Sequence, residues 1–136
     1  MIQEIDHIAI AVENLDQAIA LYEKTLGLAV THRECVAGSG VDTATFRIGG
    51  TSIELVAGTT PDSAIGKFVQ AHGPGIHHIA FAVGSIEKAL SDLKAKGVRL
   101  IDETPRHGKE DSLIAFVHPK STQKVLYEFV QRASKK

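Results

Sequence analysis

Two histidines and two glutamates stand in repeated contexts. His7 opens His-Ile-Ala-Ile-Ala-Val, ending at Val12, and His78 opens His-Ile-Ala-Phe-Ala-Val, ending at Val83. Glu54 lies in Ile-Glu-Leu-Val and Glu128 in Tyr-Glu-Phe-Val, each an ionisable group between apolar neighbours. A carboxylate in such a setting is costly unless something compensates its charge, and a divalent cation does so. Two imidazoles and two carboxylates suit a borderline metal such as Zn, Ni, Co, Mn or Fe better than Ca or Mg. Four protein donors on an ion that accepts six leave two open positions, the layout of a Lewis acid rather than a closed structural site. We therefore expect His7, Glu54, His78 and Glu128 to be metal ligands, with one divalent ion per site.

The elements that must position these groups follow from periodicity. In Ile5–Val12 the bulky Ile8, Ile10 and Val12 alternate with His7, Ala9 and Ala11, so a strand would turn one aliphatic face to a helix and a face of small residues with one histidine the other way. The second copy alternates alike. His77 has the opposite parity to His78 and is expected on the helix side. His32, His72, His107 and His118 lack the repeat context and are expected at the surface or in loops. Asn14 and Ser85 are N-cap residues before Leu15–Leu26 and Ile86–Lys96, which carry apolar residues at helical spacing; Gly27 and Gly97 stop them. Further strands are expected over Leu28–Val36, Val41–Ile48, Thr51–Val56, Val98–Asp102, Leu113–Val117 and Lys124–Val130, with turns at Ala37–Gly40, Gly49-Gly50 and His118–Thr122. In Thr51–Val56, Ser52, Glu54 and Val56 share the face opposite Ile53 and Leu55. The stretch Thr104–Asp111 reads as a polar loop, and the tail Gln131–Lys136 as polar and frayed.

The order is βαβββ, a linker with a short helix whose buried side is Ile65, Phe68 and Val69, then βαβββ again. The expected fold class is α+β: two tandem βαβββ modules forming a curved, partly open antiparallel sheet around a central metal cavity, helices outside. An internal repeat of this size implies a pseudo-twofold arrangement. One domain over 1–136 is expected, with module 1 at about 1–57, the linker at about 58–75 and module 2 at about 76–132.

Bulk composition excludes several function classes. Lys plus Arg number 15 against 16 Asp plus Glu, a net charge of −1, so there is no basic field for nucleic acid. No segment approaches the roughly 20 apolar residues of a membrane span, and a lone half-buried Cys35 forms no internal disulfide. A cytoplasmic protein is expected.

On these residues the chain resembles the vicinal oxygen chelate superfamily, and within it the methylmalonyl-CoA epimerase family. The resemblance rests on Asp6–Val12, Gly75–Val83, Lys96–Glu103 and the His-Pro-Lys-Ser-Thr turn at His118–Thr122 ahead of Val-Leu-Tyr-Glu128, and it spans nearly the whole chain. It implies a 1,1-proton transfer α to the thioester of a small-molecule acyl-CoA, with Co²⁺ favoured and Zn²⁺, Ni²⁺ or Mn²⁺ as alternatives, and a homodimer. Glu128 is the candidate for one catalytic group. Some members carry a second Glu on the third strand, where this chain has Thr43, so Glu54 is the candidate for the other. Lys120, Ser121, Thr122 and Arg106 are candidates for substrate contact. The chain departs from the family where relatives tend to have glycines: the loop after Pro105 is here Arg-His-Gly-Lys-Glu-Asp-Ser112, and Gln123-Lys124 stand before Val125. The alternatives are glyoxalase I-like isomerisation of a hemithioacetal, for which the same ligand set serves, and a non-catalytic binding or resistance protein on the same scaffold.

Overall fold

The computed structural model describes residues 1–36 and 38–133; Ala37 in the first expected turn and Ser134–Lys136 of the expected frayed tail lie outside the described residues. The chain forms two units: His7–His77, and His78 onward together with Met1–Asp6.

In the unit His7–His77, β1 (Ile2–Ala11, here from His7) is followed by α1 (Leu15–Leu26), β2 (His32–Val36), β3 (Val41–Ile48), β4 (Thr51–Gly58) and α2 (Ala64–His72). The Asn14 side chain accepts from the Gln17 N–H at the start of α1, and Gly27 closes it at φ +67°, a conformation glycine adopts without a Cβ penalty. The strand order is β2-β3-β4-β1. β3 and β4 form a hairpin whose two-residue turn holds Gly49 at φ +61°. Antiparallel pairing holds for β2–β3–β4, whereas β1 pairs parallel to β4, so this sheet is mixed. One face, with Ile10, Ala44, Phe46, Ile53, Leu55 and Ala57, buries the apolar stripe of α1. On the other, Ile65, Phe68 and Val69 of α2 cover Ala9, Ala11 and Val56. The expected apolar side of the linker helix is therefore the observed one, and the Ser63 side chain caps its start. It fills part of the space beside the small residues of β1.

The second unit repeats the plan with β5 (Gly75–Val83, here from His78), α3 (Ile86–Ala95), β6 (Arg106–His107), β7 (Leu113–Val117) and β8 (Tyr127–Gln131). Its order is β5-β8-β7-β6, with β5 parallel to β8 and the rest antiparallel. Phe81, Ala115, Val117 and Phe129 pack under Ile86, Ala89 and Leu90 of α3. Several expectations change here. Val98–Asp102 makes a single bridge, Leu100 to Val117, because the Asp102 carboxylate takes the Phe116 N–H at 2.9 Å in place of a ladder partner. The polar loop contains β6 and a 3-10 turn, Lys109–Asp111. Residues Met1–Asp6 join this unit through the bidentate ion pair of Asp6 with Arg132. Gln131 ends β8 instead of fraying. Cys35 is exposed, since it shares the α1 side of β2 with Arg33 beyond the reach of that helix's apolar stripe. Among the described residues no helix is long and apolar enough to cross a membrane.

Candidate metal centre

Residues paired directly across neighbouring strands point to one side of a sheet. In the unit His7–His77 the register sets Ala9 beside Glu54, Ala11 beside Val56 and His7 beside Ser52. His7 thus lies one small residue pair away from Glu54 on one face, and its Nε2 is 3.8 Å from Glu54 Oε1. The second unit reproduces this offset. Ala80 stands beside Glu128, and His78, two residues earlier, places Nε2 3.6 Å from Glu128 Oε1. The four side chains are buried, with His7 at 3%, Glu54 at 6%, His78 at 6% and Glu128 at 5% exposure. On one side each glutamate has an alanine as strand neighbour, Ala9 for Glu54 and Ala80 for Glu128; on the other, Glu54 meets Thr45 and Glu128 meets Phe116.

The separations bear on what the pairs hold. Both exceed the range of a good N–H···O hydrogen bond, about 2.7–3.2 Å. Two donors bonded to one ion at about 2.1 Å are roughly 3.0 Å apart at a right angle and 4.2 Å apart when opposed, so both observed values fall within the span of ligands on a shared cation. A neutral imidazole nitrogen and a carboxylate oxygen, both buried, are suitable donors for a divalent transition ion. The residues present fit the metal that the sequence leads one to expect.

Around His78 and Glu128 the same face carries Phe116, which pairs with Glu128, and Arg106, which pairs with Ile114. The His78 ring meets Phe116 edge-on at 5.1 Å between centroids. The Arg106 guanidinium lies over the other part of this wall, 5.5 Å from the Phe116 centroid, and its Nε donates to Asp102 at 3.3 Å. Asp102 therefore ties both Arg106 and the Phe116 backbone. His77 faces away from His78 and sets its ring against Phe68 of α2, as its parity predicts, although its partner is the linker helix.

Lys120, Ser121 and Thr122 form a 3-10 turn, Pro119–Ser121, and its following cap. The Ser121 hydroxyl accepts the Arg99 N–H at 2.9 Å and the Thr122 hydroxyl donates to the Val125 carbonyl at 2.6 Å. The His118 Nδ1 accepts the Lys120 N–H, and partial desolvation together with Arg99 and Lys120 lowers the His118 pKa below the ordinary histidine value.

Sequence reasoning missed His32 and Glu34. The β2–β3 register places His32 across from Thr45 and Glu34 across from Thr43, and Thr45 and Thr43 stand across from Glu54 and Val56. Both missed residues thus lie on the His7–Glu54 face. Their i, i+2 spacing was visible in the sequence, but the face they share depends on pairing register.

The glyoxalase/bleomycin resistance protein/dioxygenase superfamily model matches residues 6–116. The mitochondrial methylmalonyl-CoA epimerase of Homo sapiens is 35% identical over 128 residues, covering 93% of this chain and 73% of that protein. The ethylmalonyl-CoA/methylmalonyl-CoA epimerase of Cereibacter sphaeroides is 34% identical over 133 residues, covering 96% of this chain and 99% of that protein. A variant of Streptomyces coelicolor methylmalonyl-CoA epimerase, solved in complex with 2-nitronate-propionyl-CoA, superposes with a TM-score of 0.95 at 37% identity, over 100% of this chain and 99% of that one. Such agreement over full length carries the tandem βαβββ fold as well as the ancestry. The chain belongs to the glyoxalase/bleomycin resistance protein/dioxygenase superfamily and, within it, to the methylmalonyl-CoA epimerase family.

Proposed function

We propose that this chain epimerises methylmalonyl-CoA, inverting the carbon α to the thioester, with His7, Glu54 and His78 joined by Glu128 as ligands of one divalent metal ion. The reading is supported by family membership and carried by one observation: each unit builds the same buried His–Glu pair at the same strand offset. Within each unit the pair, His7 with Glu54 and His78 with Glu128, is a donor set suited to a metal ion. We favour cobalt, on the resemblance that implied it, with zinc, nickel or manganese as substitutes. The same resemblance supports a homodimer, and the lone Cys35 fits a reducing cytoplasm.

When bound, the metal supplies Lewis-acid polarisation of the thioester carbonyl, which acidifies the α-hydrogen. The chain's own residues do the rest. Glu128 carries the carboxylate that exchanges a proton with the α-carbon on one face; burial keeps bulk water from competing. Phe116 walls that side of the pair and fixes the His78 ring. Arg106, steadied by Asp102, presents a cation to the free carboxylate or a phosphate of the acyl-CoA, and Lys120, Ser121 and Thr122 are assigned to the remainder of the ligand. The test is exchange of the α-hydrogen of methylmalonyl-CoA in deuterated buffer. Metal-dependent exchange is expected, and its absence with every one of the four metals would sink the assignment.

A further inference from the structure

Inverting a carbon centre needs two acid–base groups, one on each side of the reacting carbon. Glu128, itself a proposed ligand, takes one of these roles, and Glu54 is a candidate for the other only because Thr43 stands where some relatives carry a second Glu. Resting on the epimerase reading, we propose that Glu34, oriented by His32, is the second proton-transfer group.

Three observations carry this. Glu34 is on the same face as His7 and Glu54, because the register runs Glu34–Thr43–Val56–Ala11 and His32–Thr45–Glu54–Ala9 across β2, β3, β4 and β1. Apart from Glu54, Glu34 is the carboxylate this face offers on β2, β3 and β4; its cross-strand neighbours are threonines, which are poor bases. β2 lies two strand spacings from β4, about 9.6 Å across, which leaves room for a substrate carbon between a group on β2 and the metal pair. Second, the Glu34 carboxylate is held: His32 Nε2 and Glu34 Oε1 are 2.8 Å apart. Third, the dyad is half-buried, with side-chain exposures of 38% for His32 and 30% for Glu34. Glu34 is thus shielded enough to stay oriented yet wet enough to exchange its proton with water between turnovers. Thr43 anchors the position by donating its hydroxyl to the Glu34 carbonyl at 3.0 Å.

The step balances without any oxidant or reductant. The α C–H bond breaks, the proton passes to the Glu34 carboxylate, and the electron pair moves into the α-carbon–carbonyl bond to give the enolate. The opposite group then donates a proton to the other side, forming the new C–H bond, and solvent resets both groups. In the reverse direction the two residues exchange roles.

The experiment measures α-hydrogen exchange in deuterated buffer separately for the two C2 epimers of methylmalonyl-CoA, on the metal-loaded wild-type chain, Glu34→Gln and His32→Ala, with metal content measured on each. Glu34→Gln is expected to lower exchange from one epimer by 10²–10⁴-fold, the usual contribution of a positioned base, while exchange from the other stays within a few-fold of wild type. His32→Ala is expected to lower exchange from that same epimer alone. Glu34→Gln protein that keeps its metal and exchanges both epimers at the wild-type rate overturns the proposal, as does an equal loss from both. An equal loss from both epimers in His32→Ala removes His32 from the role. A wild-type chain that binds metal and exchanges neither epimer overturns the epimerase reading itself, an outcome distinct from either variant result.

Discussion

The assignment of both His–Glu pairs to one ion makes a quantitative prediction. Each pair offers two donors 3.6–3.8 Å apart, half of a four-ligand site and too few on their own to hold a divalent ion tightly. If the pairs share an ion, the chain takes up one equivalent of Co²⁺, and His7→Ala and His78→Ala each abolish tight binding. If they act separately, it takes up two equivalents, and each variant keeps one. The same contrast is readable in stability. Metal at about 100 times its Kd stabilises the folded chain by about 2.7 kcal/mol. Unfolding entropy near 2.1 cal/mol/K per residue, over 136 residues, is about 0.29 kcal/mol/K, so the expected rise in Tm is about 9 °C. Calorimetric titration of chelator-treated protein with Co²⁺, followed by thermal unfolding at the same concentrations, measures both. A stoichiometry of two, or a wild-type rise in Tm that persists in His7→Ala or His78→Ala, refutes the shared site.

Other consequences follow from packing, backbone and charge. Leu90, 2% exposed, is a central residue of the α3 core; Leu90→Ala is expected to destabilise by about 2–5 kcal/mol, seen as a lower urea midpoint with an unchanged slope. Lys124 holds φ +74° without being glycine; Lys124→Gly is expected to stabilise by up to about 1 kcal/mol by removing left-handed strain, and a lower Tm would contradict this. The lowered pKa of His118 means that its NMR titration midpoint lies below the ordinary value near 6.5. Between the two values the unfolded chain binds more protons than the folded one, so stability falls as pH drops through about 6.5, and His118→Asn is expected to flatten that part of the pH profile.

How much of this was legible in the sequence depended on whether a feature is local. The parity of β1 and β5 is local: a histidine followed at i+2 and i+4 by alanine and interleaved with Ile or Phe declares two faces, and His7 and His78 stand where that alternation puts them. Glu54 is equally local, set between Ile53 and Leu55 of the α1 side. The face of β2 is not local. Its phase is fixed by pairing with β3, so the alternation of His32, Arg33 and Glu34 could be read either way until Thr45 and Thr43 were known as partners. The same limit hid the attachment of Ile2–Asp6, which depends on Asp6 meeting Arg132 across 126 positions. Val98–Asp102 has strand composition, yet the Asp102 side chain competes with the backbone for Phe116, the kind of local substitution that turns a strand into a strap.

Two segments where the resemblance implies glycines have an unusual backbone in the structure. Glu110 and Asp111 take φ values of +54° and +57°, and Gln123 and Lys124 take +55° and +74°. These are the left-handed conformations glycine enters without penalty, and here residues that bear side chains occupy them. Each such residue costs about 1 kcal/mol, and strain of this kind persists where the surroundings over-determine it. At Lys109 the surroundings are visible: its side chain is 7% exposed and its ammonium lies 3.7 Å from Glu110 Oε1. Gly108 beside it has no room for a Cβ, which would come within 2.8 Å of Ile114. Ile114 is the cross-strand partner of Arg106, so the strained turn braces the strand that carries the proposed substrate cation. Relaxing it with glycine at 110 and 111 trades that rigidity for stability. The two effects separate: the substitution raises the Tm, and if the turn holds Arg106 in place for an acyl-CoA, it raises KM for methylmalonyl-CoA without a matching fall in kcat.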